Sequence, residues 1–423
     1  MKKPLPLFLL LLLGVILITG ITRRISFRKI NLNNTKTDVS ASVPEKSGEI
    51  TSIDCGIDSC QEMTIEGDKK YALPNGKASP FSGYADPSIR KDPGSGVLWL
   101  AYSWPHYKFS GSKQVPSVEI HLAKSVDSGN TWSFVKKLWE PIPINNPANT
   151  SQLGYLDYET ANLLPIYEKG VTMWFAVTLN YFIPKSGGFA ARPSDSFHIR
   201  VYKSQSPEGL TSAPFAILGS ETTATEWKTN QTLVPRDMDL LQSKSFFWNE
   251  PALYYENDAL YLTMVAFNLK NRSDLSRDAV YVFSTRPTGS PESWTWSYRG
   301  KLAGAEEANQ LGAERLTQVD IARGSNEELL LITSPDDWNT NLQDYNHKGC
   351  VAIEIASLLQ PALKKDKNGD LLVRAVVKDS TANELGSAAC SYDPASRTGI
   401  IFTKRNKTAN ELTTSLLQTG LNP

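Results

Sequence analysis

One pattern recurs along this chain and restricts its fold more than any other feature. It is a polar or acidic residue, a short apolar strand, a tight turn and a second apolar strand. The clearest copy is residues 246–267, where Asn257 and Asp258 supply the turn and the flanking runs are rich in aromatic and β-branched residues. Such residues suit a pleated, half-buried surface, so the pattern predicts a β-hairpin. Its repetition predicts a fold built from several similar sheets.

Five copies of the hairpin can be aligned on their turns. The residues that then open the first strands are Asp86, Asn162, Glu250, Asp320 and Cys390, at steps of 76, 88, 70 and 70 residues. Each step is the length of a four-stranded antiparallel sheet with one longer loop, and five such sheets arranged radially form a five-bladed β-propeller. One or two β-sandwiches are the alternative, but a sandwich gives no reason for a regular period. The sequence therefore predicts an all-β propeller.

The predicted propeller occupies residues 51–423. Its last blade has only about 40 residues, enough for three strands, which would leave an open edge. We expect a strand from residues 61–66, before the first blade, to close the ring. The predicted blades lie near residues 81–140, 157–220, 246–303, 315–378 and 383–423. Residues 355–363 predict a short helix.

The N-terminal segment, residues 1–29, predicts an export signal or a membrane anchor. Its apolar run, residues 5–21, is near the lower limit for crossing a bilayer and lacks a small-x-small cleavage site, which favours an uncleaved anchor. The basic residues that follow the run would prefer the cytoplasm, so charge alone does not set the orientation. Residues 30–50 are polar and predict a stalk. We expect an extracytoplasmic protein, either membrane-anchored or secreted.

The four cysteines allow three disulfide connectivities. An even number in an exported chain favours disulfides, and joining neighbours predicts Cys55 with Cys60 and Cys350 with Cys390. Four free buried thiols are the alternative.

Charge and histidine content argue against several partners. Lys+Arg and Asp+Glu both number 44, and no block of like charge suggests a nucleic acid. The chain has 4 histidines and no Cys/His spacing typical of zinc, so a histidine-built metal site is not expected. We predict no metal and no cofactor, while leaving room for a structural cation in the channel.

Residues 125–132 read Ser-Val-Asp-Ser-Gly-Asn-Thr-Trp, which matches the Asp-box pattern. We expect the Asp127 carboxylate to accept backbone N–H bonds, Gly129 to take positive φ and Trp132 to pack into the blade, so that Asp127 is structural. The motif resembles the repeat of sialidases and related propellers. Sialidases need an arginine triad and six blades; Arg90, Arg192 and Arg272 are available, but nothing in the sequence places them together.

In a propeller the first strand of each blade lines the central channel, so the strand-opening residues face one another at one mouth. Three of them, Asp86, Glu250 and Asp320, are acids. The loops between second and third strands lie at the same mouth and supply aromatic, polar and cationic side chains. Asn162 and Trp248, at or beside strand openings, are added to these loop residues. The predicted substrate-binding residues are therefore Trp104, His106, Tyr107, Asn162, Tyr181, Arg192, Trp248, Arg272, Trp338 and His347.

Carboxylates below aromatic rings suit a sugar, because rings stack on C–H faces and two carboxyl groups can supply acid and base for a glycosidic bond. Glu250, between Trp248 and Pro251, is the better acid candidate, and Asp86 is the better base. The alternative is that these acids, each followed by proline, cap strands by accepting turn N–H bonds. Three acids at one repeat position favour function.

The strings Ala85-Asp86-Pro-Ser-Ile and Asn249-Glu250-Pro-Ala-Leu resemble five-bladed glycoside hydrolases that include arabinanases, β-xylosidases and arabinofuranosidases. The resemblance implies that Asp86 is the general base and Glu250 the general acid of an inverting reaction. That family also has a second-blade Asp that orients the acid, whereas turn alignment gives Asn162. Asp157 and Glu159 can fill this role if the strand starts earlier, and Asp320 is a further substitute.

The sequence thus predicts a glycosidase-like propeller whose partners are a carbohydrate and, through the N-terminal segment, a membrane. The alternative from a different class is a non-catalytic glycan-binding or scaffold propeller, which Asn162 in the second blade favours. A sialidase is a further alternative.

Overall fold

The computed structural model describes residues 50–110, 113–147, 149–186, 198–211, 213–220, 231–234, 246–268, 272–341, 344–382, 385–408 and 410–423. Within these ranges the chain is all-β, with a propeller-like arrangement of strands and one six-residue α-helix. The same ranges contain no helix with the length and apolar character needed to cross a bilayer. The predicted anchor and all but the last residue of the predicted stalk lie outside the described residues.

Four short strands come before the first long hairpin. They are β1 (Thr51–Asp54), β2 (Gln61–Glu62), β3 (Ile65–Glu66) and β4 (Phe81–Ser82). The first sheet then contains β5 (Ala85–Lys91), β6 (Leu98–Ser110), β7 (Lys113–Ser125) and β8 (Trp132–Trp139). The second contains β9 (Ile142–Asn146), β10 (Asn149–Glu168), β11 (Val171–Pro184), β12 (His198–Ser204), β13 (Ala216–Ser220) and β14 (Gln231–Val234).

The third sheet contains β15 (Phe246–Glu256), β16 (Ala259–Asn268), β17 (Ala279–Thr285) and β18 (Ser297–Gly304), and α1 (Ala305–Gln310) follows it. The next strands are β19 (Arg315–Leu316), β20 (Asp320–Arg323), β21 (Leu329–Thr333), β22 (Pro335–Asn339), β23 (Asp344–Lys348), β24 (Cys350–Ser357), β25 (Ala362–Leu363) and β26 (Val373–Lys378). The fourth sheet has the order β26-β24-β21-β20.

The fifth sheet is built on the last three strands, β27 (Gly386–Ser391), β28 (Ile401–Lys407) and β29 (Leu412–Gln418). The hairpin β22–β23 extends it beside β27. The N-terminal strands add to three different sheets. β1 pairs with β26 of the fourth, β2 and β4 pair with β29 of the fifth, and β3 pairs with β8 of the first.

Buried apolar side chains form a cluster between each pair of successive sheets, and a further cluster joins the fifth sheet to the first. Each cluster has a large buried member: Trp174 between the first and second sheets, Phe283 between the second and third, Phe267 between the third and fourth, Phe402 between the fourth and fifth, and Tyr102 between the fifth and first. The sheets therefore bury both faces, which is why their central strands are nearly continuous apolar runs.

Both predicted disulfides are confirmed. Cys55 pairs with Cys60, and Cys350 of the fourth sheet pairs with Cys390 of the fifth. The second bond closes 40 residues and joins two neighbouring sheets through fully buried cysteines. The described residues contain no free cysteine.

The helix predicted around residues 355–363 is wrong. Ile355 lies in β24 and pairs with Leu363 of β25. Ile355, Leu358 and Leu363 all pack into the same core cluster. Their helix-like spacing arises because a strand end, a turn and a returning strand each bury one apolar side chain.

The turn at residues 125–132 is held by its own side chains. Ser125 Oγ donates to Asp127 Oδ1 at 2.7 Å, and the Thr131 N–H donates to the same oxygen at 2.9 Å. Gly129 has φ +96°, and Trp132 is buried. The contacts of Asp127 are therefore local, and it lies at the far end of β7 from the site described below.

Candidate active site

Asp86 and Glu250 lie on a backbone feature that is repeated between sheets. Each residue has φ +48°, and the ladder to the next strand slips by one residue directly after Ala85 in one sheet and after Asn249 in the other. An extra residue in one strand is a β-bulge, which bends the strand and re-aims a side chain. Positive φ is unusual for a residue with a side chain, and such strain is frequent at functional sites.

The second sheet has the same bulge, and it corrects the turn alignment. Thr160 has φ +53°, and the ladder slips after Glu159, so that Asn162 lies two residues beyond the position of Asp86. The alignment failed because β10 continues for eight residues after Thr160 before its turn, whereas β15 continues for only six after its bulge. Glu159 is therefore the acid beside the second strand opening.

The fourth and fifth sheets are also shifted relative to the turn alignment. In the fifth sheet Ala389 has φ +53° at the bulge, one residue before Cys390. In the fourth sheet Leu316 pairs with Pro335 and Asp320 pairs with Ile332, so the first strand has one extra residue between these pairs. The position equivalent to Asp86 is therefore Gln318. Asp320 lies two residues further along, at the level of Asn162.

A pit of about 230 Å³ opens where these bulges meet. Side chains from the first, second, third and fifth sheets and from the β22–β23 hairpin surround it. Its acidic, histidine and arginine lining residues are Asp86, Glu159, Glu250, Asp344, His347 and Arg405. A narrow chamber of about 10 Å³ lies deeper in the ring, and Asp86 and Glu250 line both spaces.

Glu250 has the most strongly perturbed carboxyl group of the pit. Burial raises its pKa well above the usual value, and the charges of Asp86, Glu159 and Asp336 raise it further. The amide of Asn249 donates to Glu250 Oε1 at 3.2 Å, which opposes the increase. The environment therefore favours the protonated form of Glu250.

Asp86 is perturbed in the same direction but less strongly. Burial raises its pKa to about 6, and the charge of Glu159 contributes to the increase. A hydrogen bond from Ser103 and the charge of Arg405 stabilise the carboxylate and limit the shift. Asp86 is therefore mostly ionised at neutral pH, and it is the stronger acid of the two.

His347 and Asp336 form a pair at the edge of the pit. Asp336 is fully buried, and its Oδ1 lies 2.5 Å from His347 Nδ1. Burial raises the pKa of Asp336, whereas the neighbouring His347 lowers it. This contact fixes the orientation of the imidazole, which itself lines the pit.

Arg272 and Trp338 lie behind the wall of the pit. The Arg272 guanidinium lies 4.2 Å from the centroid of the Trp338 ring and donates to the hydroxyl of Tyr345. Tyr345 lines the pit and packs edge-on against Trp338. The two predicted substrate-binding residues therefore support Tyr345.

The structure directs Trp104 and His106 away from the pit. β6 continues through the predicted loop, and its side chains alternate, so that Pro105 lines the pit while Trp104 and His106 point to the other face. There Trp104 stacks on His121 at 4.8 Å and contacts His106. Tyr107 reaches the site only indirectly, by packing on Phe81 at 5.5 Å.

Two other predicted aromatic residues are parts of the core. Tyr181 is fully buried, and Trp248 is 5% exposed. They pack in the clusters between the third sheet and its two neighbours. Arg192 lies outside the described residues.

Asp157 is fully buried and does not itself line the pit. Its carboxylate accepts the Ser117 hydroxyl at 3.1 Å and the Val118 N–H at 3.2 Å, which joins the first and second sheets. Its contacts fit a structural residue better than a catalytic one.

Asp320 lies in the channel below the pit, inside a satisfied network. It forms a two-pronged ion pair with Arg90 and accepts hydrogen bonds from Asn162 Nδ2 at 2.9 Å and Ser391 Oγ at 2.7 Å. The Arg90 guanidinium thus places a positive charge beside Asp320 in the channel, the region in which the sequence leaves a structural cation possible. Because Arg90 is already ion-paired with Asp320, it cannot serve as one of the three arginines that a sialidase needs to bind the substrate carboxylate.

Several lining residues were missed at the level of sequence, and Arg405 is the most informative. In the fifth sheet Thr403 pairs with Ala388 beside the bulge, and Arg405 lies two residues after Thr403. In the first sheet Ser103 pairs with Ala85 beside the bulge, and Pro105 lies two residues after Ser103. Both Pro105 and Arg405 line the pit. Extending the second strand of the last blade with a period of two would have identified Arg405.

Arg405 donates to Asp344 Oδ2 at 3.1 Å, and its Nη1 is buried without a hydrogen-bond partner among the described residues. Those residues contain no group of three or more histidine, cysteine, aspartate or glutamate side chains that could hold a metal ion.

No protein-family model and no curated protein matches the chain. Three similar solved structures are the α-L-arabinanase of Cellvibrio cellulosa complexed with arabinohexaose, an exo-1,5-α-L-arabinanase from a bovine ruminal metagenomic library, and a xylan β-1,4-xylosidase from Bacillus halodurans. The first two are each 14% identical with TM-score 0.45 and match 80% of this chain and 91% and 92% of their own. The xylosidase is 13% identical with TM-score 0.44, over 79% of this chain and 52% of its own.

Proposed function

We propose that this protein is a glycoside hydrolase-like five-bladed propeller that cleaves a carbohydrate at the pit by an inverting acid/base mechanism. Glu250 donates a proton to the leaving oxygen, and Asp86 accepts a proton from the attacking water. One observation carries the proposal. Two carboxyl groups occupy equivalent bulges of different sheets, line the same pit and have pKa values raised to different extents.

The five-bladed arrangement is supported by the apolar clusters. Each successive pair of sheets shares one, and the fifth sheet shares one with the first. Closure by an N-terminal strand is supported by β2, in which Gln61 lies opposite Gln418 of β29. A closed ring holds the bulges in fixed positions around the pit.

The division of roles follows from the charges around each acid. A general acid must remain protonated until the leaving oxygen takes its proton, and burial beside three other carboxyl groups favours this for Glu250. A general base must be ionised, and Ser103 and Arg405 favour this for Asp86. Glu159 raises both pKa values and acts as the tuning residue.

Inversion requires room for a water molecule between the two carboxyl groups. The chamber that both acids line, of about 10 Å³, holds on the order of one water. The pit carries four carboxyl groups and one permanently charged cation, Arg405. This charge balance favours a neutral sugar over an acidic one.

The test is a screen of the full chain against aryl glycosides of arabinose, xylose, galactose and sialic acid. Glu250→Gln is expected to lower kcat by 10²–10⁴-fold on substrates with poor leaving groups and far less on dinitrophenyl glycosides, which need no acid. Asp86→Asn is expected to lower kcat both on substrates with poor leaving groups and on dinitrophenyl glycosides. Glu411→Gln, at an exposed position, is the matched control.

Each outcome separates the candidates. Unchanged activity of Glu250→Gln would remove that residue from the site. Glycan binding without turnover of any glycoside would favour a non-catalytic propeller, and turnover of the sialoside alone would favour a sialidase. NMR of the first product formed reads the anomer directly, and retained configuration would contradict inversion.

The proposed location is extracytoplasmic, with the N-terminal segment as anchor or export signal. The two disulfides are consistent with an oxidising compartment. Labelling of intact cells with an impermeant reagent tests this, because a cytoplasmic protein would stay unlabelled.

A further inference from the structure

A second concave surface lies at the opposite end of the third sheet from the pit. β15 runs from Glu250 at the pit to Glu256 at its turn, which is about 20 Å of extended chain. Beside this turn is a cleft of about 850 Å³, between the third and fourth sheets. It is larger than the pit, shares no lining residue with it and has no part in the mechanism proposed above.

The walls of the cleft are rich in hydrogen-bond donors and carry excess positive charge. Three arginines, Arg286, Arg299 and Arg323, line it with a single carboxylate, Glu256. Seven serine or threonine residues and Tyr261 add hydroxyl groups. The pit has the opposite balance, so the two spaces suit ligands of different charge.

The three arginines differ in the ion pairs and hydrogen bonds that they make within the protein. Arg323 forms an ion pair with Glu256 and donates to the Glu327 carbonyl at 2.6 Å. Arg299 donates through Nε to Ser284 Oγ at 2.7 Å. The Arg286 side chain is exposed and has no ion pair among the described residues. Two guanidinium groups are therefore not neutralised by a carboxylate there.

A buried hydroxyl marks the same wall. Thr285 is 4% exposed, and its Oγ1 is buried with no hydrogen-bond partner among the described residues. A buried polar group without a partner is destabilising, so such groups are rare unless a ligand or water satisfies them. Thr285 lies between Ser284 and Arg286, which also line the cleft.

We propose that this cleft is a second binding site, for an acidic oligosaccharide that carries carboxylate or sulfate groups. Arginine binds such groups through paired N–H bonds, and the hydroxyl side chains suit the remaining sugar oxygens. A volume of about 850 Å³ is within the range of ligand sites, while the polar walls exclude a mainly apolar ligand. The site does not depend on the hydrolase proposal.

The test is titration calorimetry of the full chain with oligogalacturonate and with a neutral galactan oligosaccharide of the same length. The wild type is expected to bind the acidic ligand and not the neutral one. Arg286→Gln with Arg299→Gln is expected to weaken binding at least tenfold. The control, Arg277→Gln with Arg397→Gln, removes the same charge from exposed positions outside the cleft and is expected to leave affinity unchanged.

Thr285→Val keeps the shape of the side chain and removes only the hydroxyl, and it is expected to weaken binding several-fold without lowering thermal stability. Asp86→Asn is expected to bind the acidic ligand as the wild type does, which separates the cleft from the pit. Equal loss in both arginine pairs would overturn the proposal as general charge attraction. Equal affinity for the neutral oligosaccharide, or for inorganic sulfate alone, would also overturn it.

Discussion

Asp86 and Glu250 occupy the same backbone position in two different sheets, each at φ +48° on a one-residue bulge. The repeat therefore aims two carboxyl groups at one pit without any loop that is specific to the site. At the equivalent positions of the other sheets the chain carries Thr160, Gln318 and Ala389, of which Thr160 and Ala389 share the positive φ. Only two copies of the repeat supply an acid at this position.

The proposed roles predict a bell-shaped dependence of kcat/KM on pH. Activity should rise as Asp86 ionises, with an acidic limb near its pKa of about 6. It should fall at higher pH as Glu250 loses its proton, because burial and three neighbouring acids raise that pKa. The measurement is kcat/KM between pH 4 and 10 on one aryl glycoside. A rate that stays constant from pH 5 to 7 would contradict the role of Asp86.

Glu159 and Asp336 are expected to affect the two limbs of the pH profile differently. The charge of Glu159 raises the pKa of both Asp86 and Glu250, whereas that of Asp336 acts on Glu250. Glu159→Gln should therefore shift both limbs to lower pH. Asp336→Asn should shift only the basic limb, by several tenths of a pH unit or more, on the scale of one charge removed from a partly buried site.

The pH profiles of both variants, recorded with the same substrate, provide the check. Glu411→Gln should leave both limbs in place. Equal shifts of the acidic limb in Glu159→Gln and Asp336→Asn would show that the two charges do not act as assigned.

The same pKa shifts predict that the acids reduce stability. A carboxyl group whose pKa is raised in the folded state binds its proton more tightly there, so its stabilising effect is present at low pH and is lost as pH rises through the folded pKa. Above about pH 6, Glu250→Gln and Asp86→Asn should therefore raise the free energy of unfolding, by on the order of 1 kcal/mol after allowance for partial exposure.

Urea unfolding at pH 4 and pH 8 tests this, because the gain should be much larger at pH 8. A variant that loses activity and gains stability only at the higher pH would fit a strained catalytic acid. Equal destabilisation at both pH values would instead indicate that Glu250 is a structural cap.

The repeated hairpins made the sheets predictable, because apolar runs separated by Asn, Asp and Gly turns are a local signal. Asp86 and Glu250 followed from the same repeat. Asn162 was misplaced because hairpin length varies between sheets, and the turn records where a strand ends, not where its bulge lies. The sequence leaves Asp157 and Glu159 as alternatives for the second-blade acid, and the ladder register places Glu159 beside the strand opening.

The loop expected at the mouth of the fourth blade supplied His347, which lines the pit. Arg405 reaches the pit because β28 extends past its bulge partner, and Tyr345 reaches it because the β22–β23 hairpin adds to the fifth sheet. Trp104 was predicted for a loop, but strand alternation turns it away. These outcomes depend on strand length and on contacts distant in sequence.

Arg90 and Asp320 form a buried ion pair in the channel. Arg90 belongs to the first sheet and Asp320 to the fourth, and both side chains are almost fully buried. Asn162 of the second sheet donates to Asp320 and accepts the N–H of Leu253 in the third, while Ser391 of the fifth donates to Asp320. One carboxylate thus connects all five sheets.

Removal of one partner from a buried ion pair leaves the other charge unpaired, which costs about 3–5 kcal/mol, whereas removal of both costs less. Arg90→Met and Asp320→Asn should therefore each lower the free energy of unfolding by several kcal/mol, and the double variant by less than their sum. The partly exposed pair of Arg323 and Glu256 is the control, with an expected loss of about 0–1 kcal/mol. Since the guanidinium already lies beside Asp320, a chelator should leave the melting temperature of the wild type unchanged. Single-variant losses no greater than those of the control pair would show that the sheets hold together without this network.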